Sequence, residues 1–96
     1  MSTISPKSNI YKSSDHFQVD VFLPGVSEEH LEIDIENHTL KIRAFRQRGE
    51  TRLTYKRDFR LNRTIDVDSI EAKLANGRLQ ITLPIANHSR KVLINA

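Results

Sequence analysis

The sequence predicts an all-β fold, a sandwich of about seven short strands in one small domain. Three observations carry this. Apolar and polar residues alternate with a period of two in several short runs, the mark of half-buried strands. Two such runs, Ile70-Ala72-Leu74 and Leu79-Ile81-Leu83, flank Asn76-Gly77, the dipeptide best able to supply the positive φ angles of a tight hairpin. No stretch of useful length repeats its apolar residues at the 3.6-residue spacing of a helix.

Taken in order, residues 1–8 offer only Met1 and Ile4 as apolar groups and are expected to form a short flexible arm. Asn9-Ile10-Tyr11-Lys12 reads as a short edge strand, followed by a polar turn at Ser13-Ser14-Asp15. Phe17, Val19, Val21 and Leu23 then share one face of a strand, with Gln18, Asp20 and Phe22 on the other. Leu23-Pro24-Gly25-Val26 ends it at a glycine free to take a backbone angle closed to other residues. Ser27-Glu28-Glu29-His30 is one capped turn, too short for a helix. Leu31 to Glu36 alternates again, Asn37-His38 is a turn, and Leu40 to Ala44 is the hairpin partner. Phe45 to Thr51 reads as a seven-residue connection. Leu53, Tyr55, Arg57, Phe59 and Leu61 alternate against Thr54, Lys56, Asp58 and Arg60. Asp66-Val67-Asp68-Ser69 is a turn before the Asn-Gly hairpin, and Pro84, with no N–H to give a ladder, closes that hairpin.

Composition narrows the function classes. The chain has 96 residues and no cysteine, so disulfides and thiolate metal sites are excluded and a cytoplasmic location is expected. No apolar run approaches the roughly 18 residues of a membrane span, and the first residues open no signal-peptide pattern. The net charge of +3 is segregated: residues 1–36 hold two basic and seven acidic side chains, residues 41–63 nine basic and two acidic. Such a distribution steers a polyanion or brings unlike ends of two subunits together. A nucleic-acid interface with Phe45 and Tyr55 as stacking groups is one reading of the basic run. A solvated charged face is the simpler one, and nucleic acid is not the expected partner. His16, His30, His38 and His88 lie in or beside turns without ligand spacing, so no metal is expected. Asp66-x-Asp68 is a turn cap before it is a catalytic pair, and three glycines make no phosphate loop. Neither enzymatic activity, nor a cofactor, nor ATP hydrolysis is expected.

Three separated runs together are specific. They are Leu23-Pro24-Gly25-Val26, then Tyr55-Lys56-Arg57-Asp58-Phe59-Arg60-Leu61, then Ala72 with Asn76, Gly77, Leu79, Ile81, Leu83 and Pro84. In type, spacing and order they resemble the α-crystallin domain of small heat-shock proteins over residues 9–85. Arg78 stands where that family usually has an aliphatic residue, Ile85 where it has lysine, and Asn62 where it has proline.

The resemblance implies an immunoglobulin-like sandwich and an ATP-independent holdase that keeps non-native client proteins from aggregating. It implies a groove for clients or tails, formed by Leu31, Ile33 and Ile35 with Ile70, Ala72 and Leu74. Val92 and Ile94, in a C-terminal tail over 86–96, match the segment with which the family plugs that groove from a neighbouring subunit. The same residues read equally as a terminal strand of their own domain, since the linker from Ile85 to Lys91 spans at most about 25 Å. The resemblance also implies a homodimer or larger assembly, with Arg57 in ion pairs at an interface that includes Tyr55 and Phe59. The short connection before this strand cannot carry the swapped strand of bacterial and plant members. Pairing of the Thr51–Leu61 edge with its copy is the alternative. The rival functional reading is an interaction module like the CS-domain co-chaperones, which share the sandwich and stay monomeric.

Overall fold

Alternation along the chain becomes two faces of two sheets in the computed structural model, which describes residues 2–86. In chain order the strands are β1 (Ser2–Ile4), β2 (Ser8–Lys12), β3 (His16–Phe22), β4 (Leu31–Glu36), β5 (Thr39–Arg48), β6 (Thr51–Arg60), β7 (Glu71–Ala75) and β8 (Arg78–Pro84). One sheet is ordered β1-β6-β5-β4 and the other β2-β3-β8-β7. The inward positions expected from the period-2 pattern, among them Val19, Val21, Leu40, Ile42, Leu79, Ile81 and Leu83, are buried in one core between the sheets. The β-sandwich is as the alternation implies, with eight strands instead of about seven.

Turn chemistry sets the register. Asn76 and Gly77 have φ of 51° and 75°, and Asn37 and His38 have 51° and 59°, both pairs being those of a type I′ turn. Gly77 is constrained twice. A Cβ there would lie 3.1 Å from Pro24 Cα and 3.2 Å from the Leu23 carbonyl oxygen, and the Leu23 N–H donates to the Gly77 carbonyl at 2.6 Å. The Leu-Pro-Gly turn and the Asn-Gly hairpin, remote in sequence, therefore close on each other backbone to backbone.

Three local expectations are corrected. The connection expected over Phe45 to Thr51 is mostly strand: β5 runs to Arg48, β6 starts at Thr51, and only Gly49-Glu50 turns the chain. Arg46, Gln47 and Arg48 are polar on both faces, so the period-2 signal vanishes although the ladder continues. Within the arm expected to be flexible, Ser2, Thr3 and Ile4 pair in parallel with Leu53, Thr54 and Tyr55. Three residues have no alternation to reveal them, and the ladder is supplied by the open edge of β6. Glu28–His30 forms a single 3₁₀ turn, but the Ser27 side chain makes no capping hydrogen bond. Asp66 does cap its turn, accepting from the Asp68 N–H at 3.2 Å and from Ser69 Oγ at 2.8 Å.

Candidate functional site

β4 and β7 are the edge strands on one long side of the sandwich. Each puts small or aliphatic side chains inward, Leu31 and Ile33 opposite Ala44 and Ile42 in one sheet, Ala72 and Leu74 opposite Ile81 and Leu79 in the other. Among the described residues no further strand caps the gap. The result is a groove of about 390 Å³ lined by Leu31, Ile33, Ala72 and Leu74, with Leu79 behind them and Glu28 and Lys73 also on the lining. Four of the six groove residues expected from the sequence thus meet. Ile35 shares their face of β4 but sits at its end, 37% exposed. Ile70 precedes β7 and packs against the core. An apolar slot bordered by two strand edges can take an extended segment, whose alternate side chains enter the slot while its backbone pairs with an edge. Val92 and Ile94 lie outside the described residues.

The interface residues separate into two kinds. Tyr55, 2% exposed, and Phe59, 8% exposed, belong to the core. The Tyr55 hydroxyl donates to the Pro24 carbonyl at 3.3 Å, so even its polar end is used within the chain. Tyr55 is thus spent within the chain, whereas the Phe59 ring still lines a cleft open to the surface. Arg57 lies on the same inward parity, paired with Ile42, and its guanidinium stacks 4.6 Å from the centre of the Phe59 ring. Its Nε is buried and has no hydrogen-bond partner among the described residues. Among the described residues no carboxylate forms a salt bridge with it.

One charged pair was not foreseen. Asp20 lies on the outward parity of β3 yet is 0% exposed. Arg78 Nη2 donates to its Oδ2 at 2.7 Å and Gln18 Nε2 to its Oδ1 at 3.1 Å. The departure of Arg78 from the family's aliphatic residue is the signal that marks this pair, because a cation there answers a buried carboxylate. The Arg78 hydrogen bond holds the Asp20 carboxyl below its ordinary value of 3.8, against the opposing effect of burial. A carboxyl whose folded pKa lies below its unfolded one stabilises the fold above the unfolded pKa, and that stabilisation is lost as pH falls through the folded value. Without Arg78, burial, which raises the carboxyl's pKa, is opposed only by the weaker Gln18 hydrogen bond. Arg78→Met is therefore expected to melt well below the parent at pH 7, and calorimetric scans should show the gap shrinking as pH falls below about 4. A gap that is constant with pH would remove Asp20 from the account.

Cross-strand register also disposes of the charge segregation. Glu32 lies opposite Arg43, and Lys41 lies between Asp34 and Asp58; Lys41 reaches Glu36 at 3.4 Å and Arg43 reaches Asp58 at 2.6 Å. Acidic β4 is folded against basic β5. The two aromatic groups considered for base stacking are both engaged: Tyr55 is buried, and Phe45 stacks on His30 at 4.3 Å with the Arg52 guanidinium 4.0 Å from its ring centre. Among the described residues no group of three or more His, Cys, Asp or Glu is placed to hold a metal, and no helix is long and apolar enough to cross a membrane.

Comparison with known proteins agrees with this geometry. The model of the Hsp20/alpha crystallin family matches residues 9–95. The chain is 32% identical over 106 residues to the 18 kDa antigen 2 of Mycobacterium avium, covering 90% of this chain and 77% of that protein. It is 29% identical over 107 residues to the mitochondrial small heat shock protein hspI of Dictyostelium discoideum, covering 95% of this chain and 48% of that one. Among solved structures, a small heat-shock protein from Xylella fastidiosa, described as having a distinct high order structure, superposes with a TM-score of 0.82 at 24% identity, over 97% of this chain and 96% of that one. With the sandwich, the Leu-Pro-Gly and Asn-Gly turns and a family match over most of its length, this chain belongs to the Hsp20/alpha crystallin family, the small heat-shock proteins.

Proposed function

We propose that the protein is an ATP-independent holdase, taking extended apolar segments of unfolding proteins into the groove between β4 and β7 and so keeping them from aggregating. The observation that carries this is the groove itself, a slot with Leu31, Ile33, Ala72 and Leu74 on its walls and Glu28 and Lys73 at its lining, bordered by two strand edges that are unpaired among the described residues. Burial of one aliphatic side chain there yields about 1.5–3 kcal/mol, less the ordering of the segment. Two or three such contacts give weak, reversible capture. Nothing in this cycle needs a nucleotide or a catalytic group.

We propose further that two copies associate through Arg57. A buried guanidinium nitrogen without a partner is a costly arrangement, and a carboxylate from a second copy relieves it. Beyond the residues that pair with β1, no strand among the described residues pairs with the β6 edge from Lys56 to Arg60. The lack of cysteine suits a reducing cytoplasm.

Light scattering from a heated client tests the holdase reading. Scattering is expected to fall in proportion to added protein and to vanish near stoichiometric amounts, with no effect of ATP. Unchanged scattering at stoichiometric protein, together with a lone monomer in native mass spectrometry at micromolar concentration, would favour the monomeric interaction module instead.

A further inference from the structure

The turn between β7 and β8 carries chemistry of its own. An asparagine can lose its side-chain nitrogen when the next backbone nitrogen attacks its carboxamide carbon, and a following glycine has no Cβ to stand in the way. Asn76 is the one asparagine of the chain followed by glycine; Asn9, Asn37 and Asn62 precede Ile10, His38 and Arg63.

Both reacting groups are uncommitted. Asn76 is exposed, and no side-chain hydrogen bond among the described residues uses its carboxamide. Asn62 is the contrast, its Oδ1 accepting from the Thr64 N–H at 3.0 Å. The ladder ends at the Ala75–Arg78 pair, so the Gly77 N–H lies outside it, and only the Gly77 carbonyl is held, by the Leu23 N–H. Asn76 and Gly77 line an open hollow of about 570 Å³ with Phe22, Pro24 and Arg78, where water has access. The closed turn is the brake. Its backbone is fixed at φ of 51° and 75°, and attack needs rotation between the two groups, so the step proceeds from a locally opened hairpin.

We propose that Asn76 is a deamidation site, and that its conversion to isoaspartate detaches the β7–β8 turn from Leu23. The Gly77 nitrogen, deprotonated by hydroxide, attacks the Asn76 carboxamide carbon. A C–N bond closes a succinimide ring while the bond to the side-chain nitrogen breaks, and ammonia leaves with a proton from water. Water then opens the ring at either carbonyl, giving aspartate or, with the main chain rerouted through the side chain, isoaspartate. Isoaspartate adds a methylene to the main chain, and a two-residue turn has no slack for it. Gly77 already sits where a Cβ would press on Pro24, so the lengthened turn bulges away and the Leu23 N–H loses its acceptor. β7, which bears Ala72 and Leu74, is then loosened from its C-terminal end. No client takes part, so the proposal goes beyond the holdase reading and does not depend on it.

The full chain is aged at mildly alkaline pH, both folded and in urea, and mapped by peptide mass spectrometry, with isoaspartate identified by enzymatic methylation of its carboxylate. In the folded chain Asn76 is expected to convert before Asn9, Asn37 and Asn62, at a rate that climbs toward the urea rate as warming opens the hairpin. Exchange of the Leu23 amide hydrogen in the isoaspartate form is expected to be about tenfold faster than at the start, the loss of one hydrogen bond. Asn76→Gly keeps a pair suited to a type I′ turn and has no carboxamide, so it should age without that change. Earlier conversion at Asn9, Asn37 or Asn62 overturns the proposal. So does a folded chain whose Asn76 is intact when the unfolded chain has fully converted, or Leu23 exchange that keeps its starting rate in the isoaspartate form.

Discussion

Tyr55→Ala is expected to remove about 3–5 kcal/mol of stability, from a domain whose whole stability is on the order of 5–14 kcal/mol. The ring is buried between the sheets and its hydroxyl ties β6 to the carbonyl of Pro24, so truncation leaves a cavity and unties the Leu-Pro-Gly turn together. Calorimetry should show the melting temperature falling by roughly 15–30 °C. Arg57→Gly is the contrast, because the Arg57 guanidinium is engaged by one aromatic face and by no carboxylate among the described residues. There the loss should appear as a lower mass on native mass spectrometry, with a smaller change in melting. A Tyr55→Ala protein that melts like the parent but dissociates would return Tyr55 to the interface and contradict its burial.

Charging the groove should abolish holding without unfolding the sandwich. Ala72 is exposed and Leu74 only partly buried, so Ala72→Glu with Leu74→Glu adds carboxylates to a slot lined with Leu31 and Ile33 at modest cost to the core. An apolar segment that loses about 2–3 kcal/mol of burial there binds roughly 30- to 150-fold more weakly. Client scattering at stoichiometric protein is then expected to match that of the client alone. Circular dichroism should still report the native sheet. Suppression that survives the double change would move the client surface elsewhere on the molecule.

Much of the fold was legible because strand alternation is local. Phe17 to Leu23 and Leu79 to Leu83 each announce which side chains face inward without reference to any other part of the chain. The groove was legible in part for the same reason: parity assigns Leu31, Ile33, Ala72 and Leu74 to inner faces, though not Ile35 and Ile70 to its ends. What covers Tyr55 and Phe59 was not legible, because an inward side chain on an edge-adjacent strand looks alike whether its own core or a partner covers it.

By itself the sequence determined strand parity, turn positions and family, since these depend on residues a few places apart and on short runs in a given order. Only the tertiary structure decided that Asp20, outward by parity, is buried beneath Arg78, 58 residues away. It also decided that acidic β4 lies against basic β5 and that β1 takes part of the β6 edge. Burial and charge pairing depend on which sheet edges and faces meet in space, and that is set by packing across long loops, which no local period records.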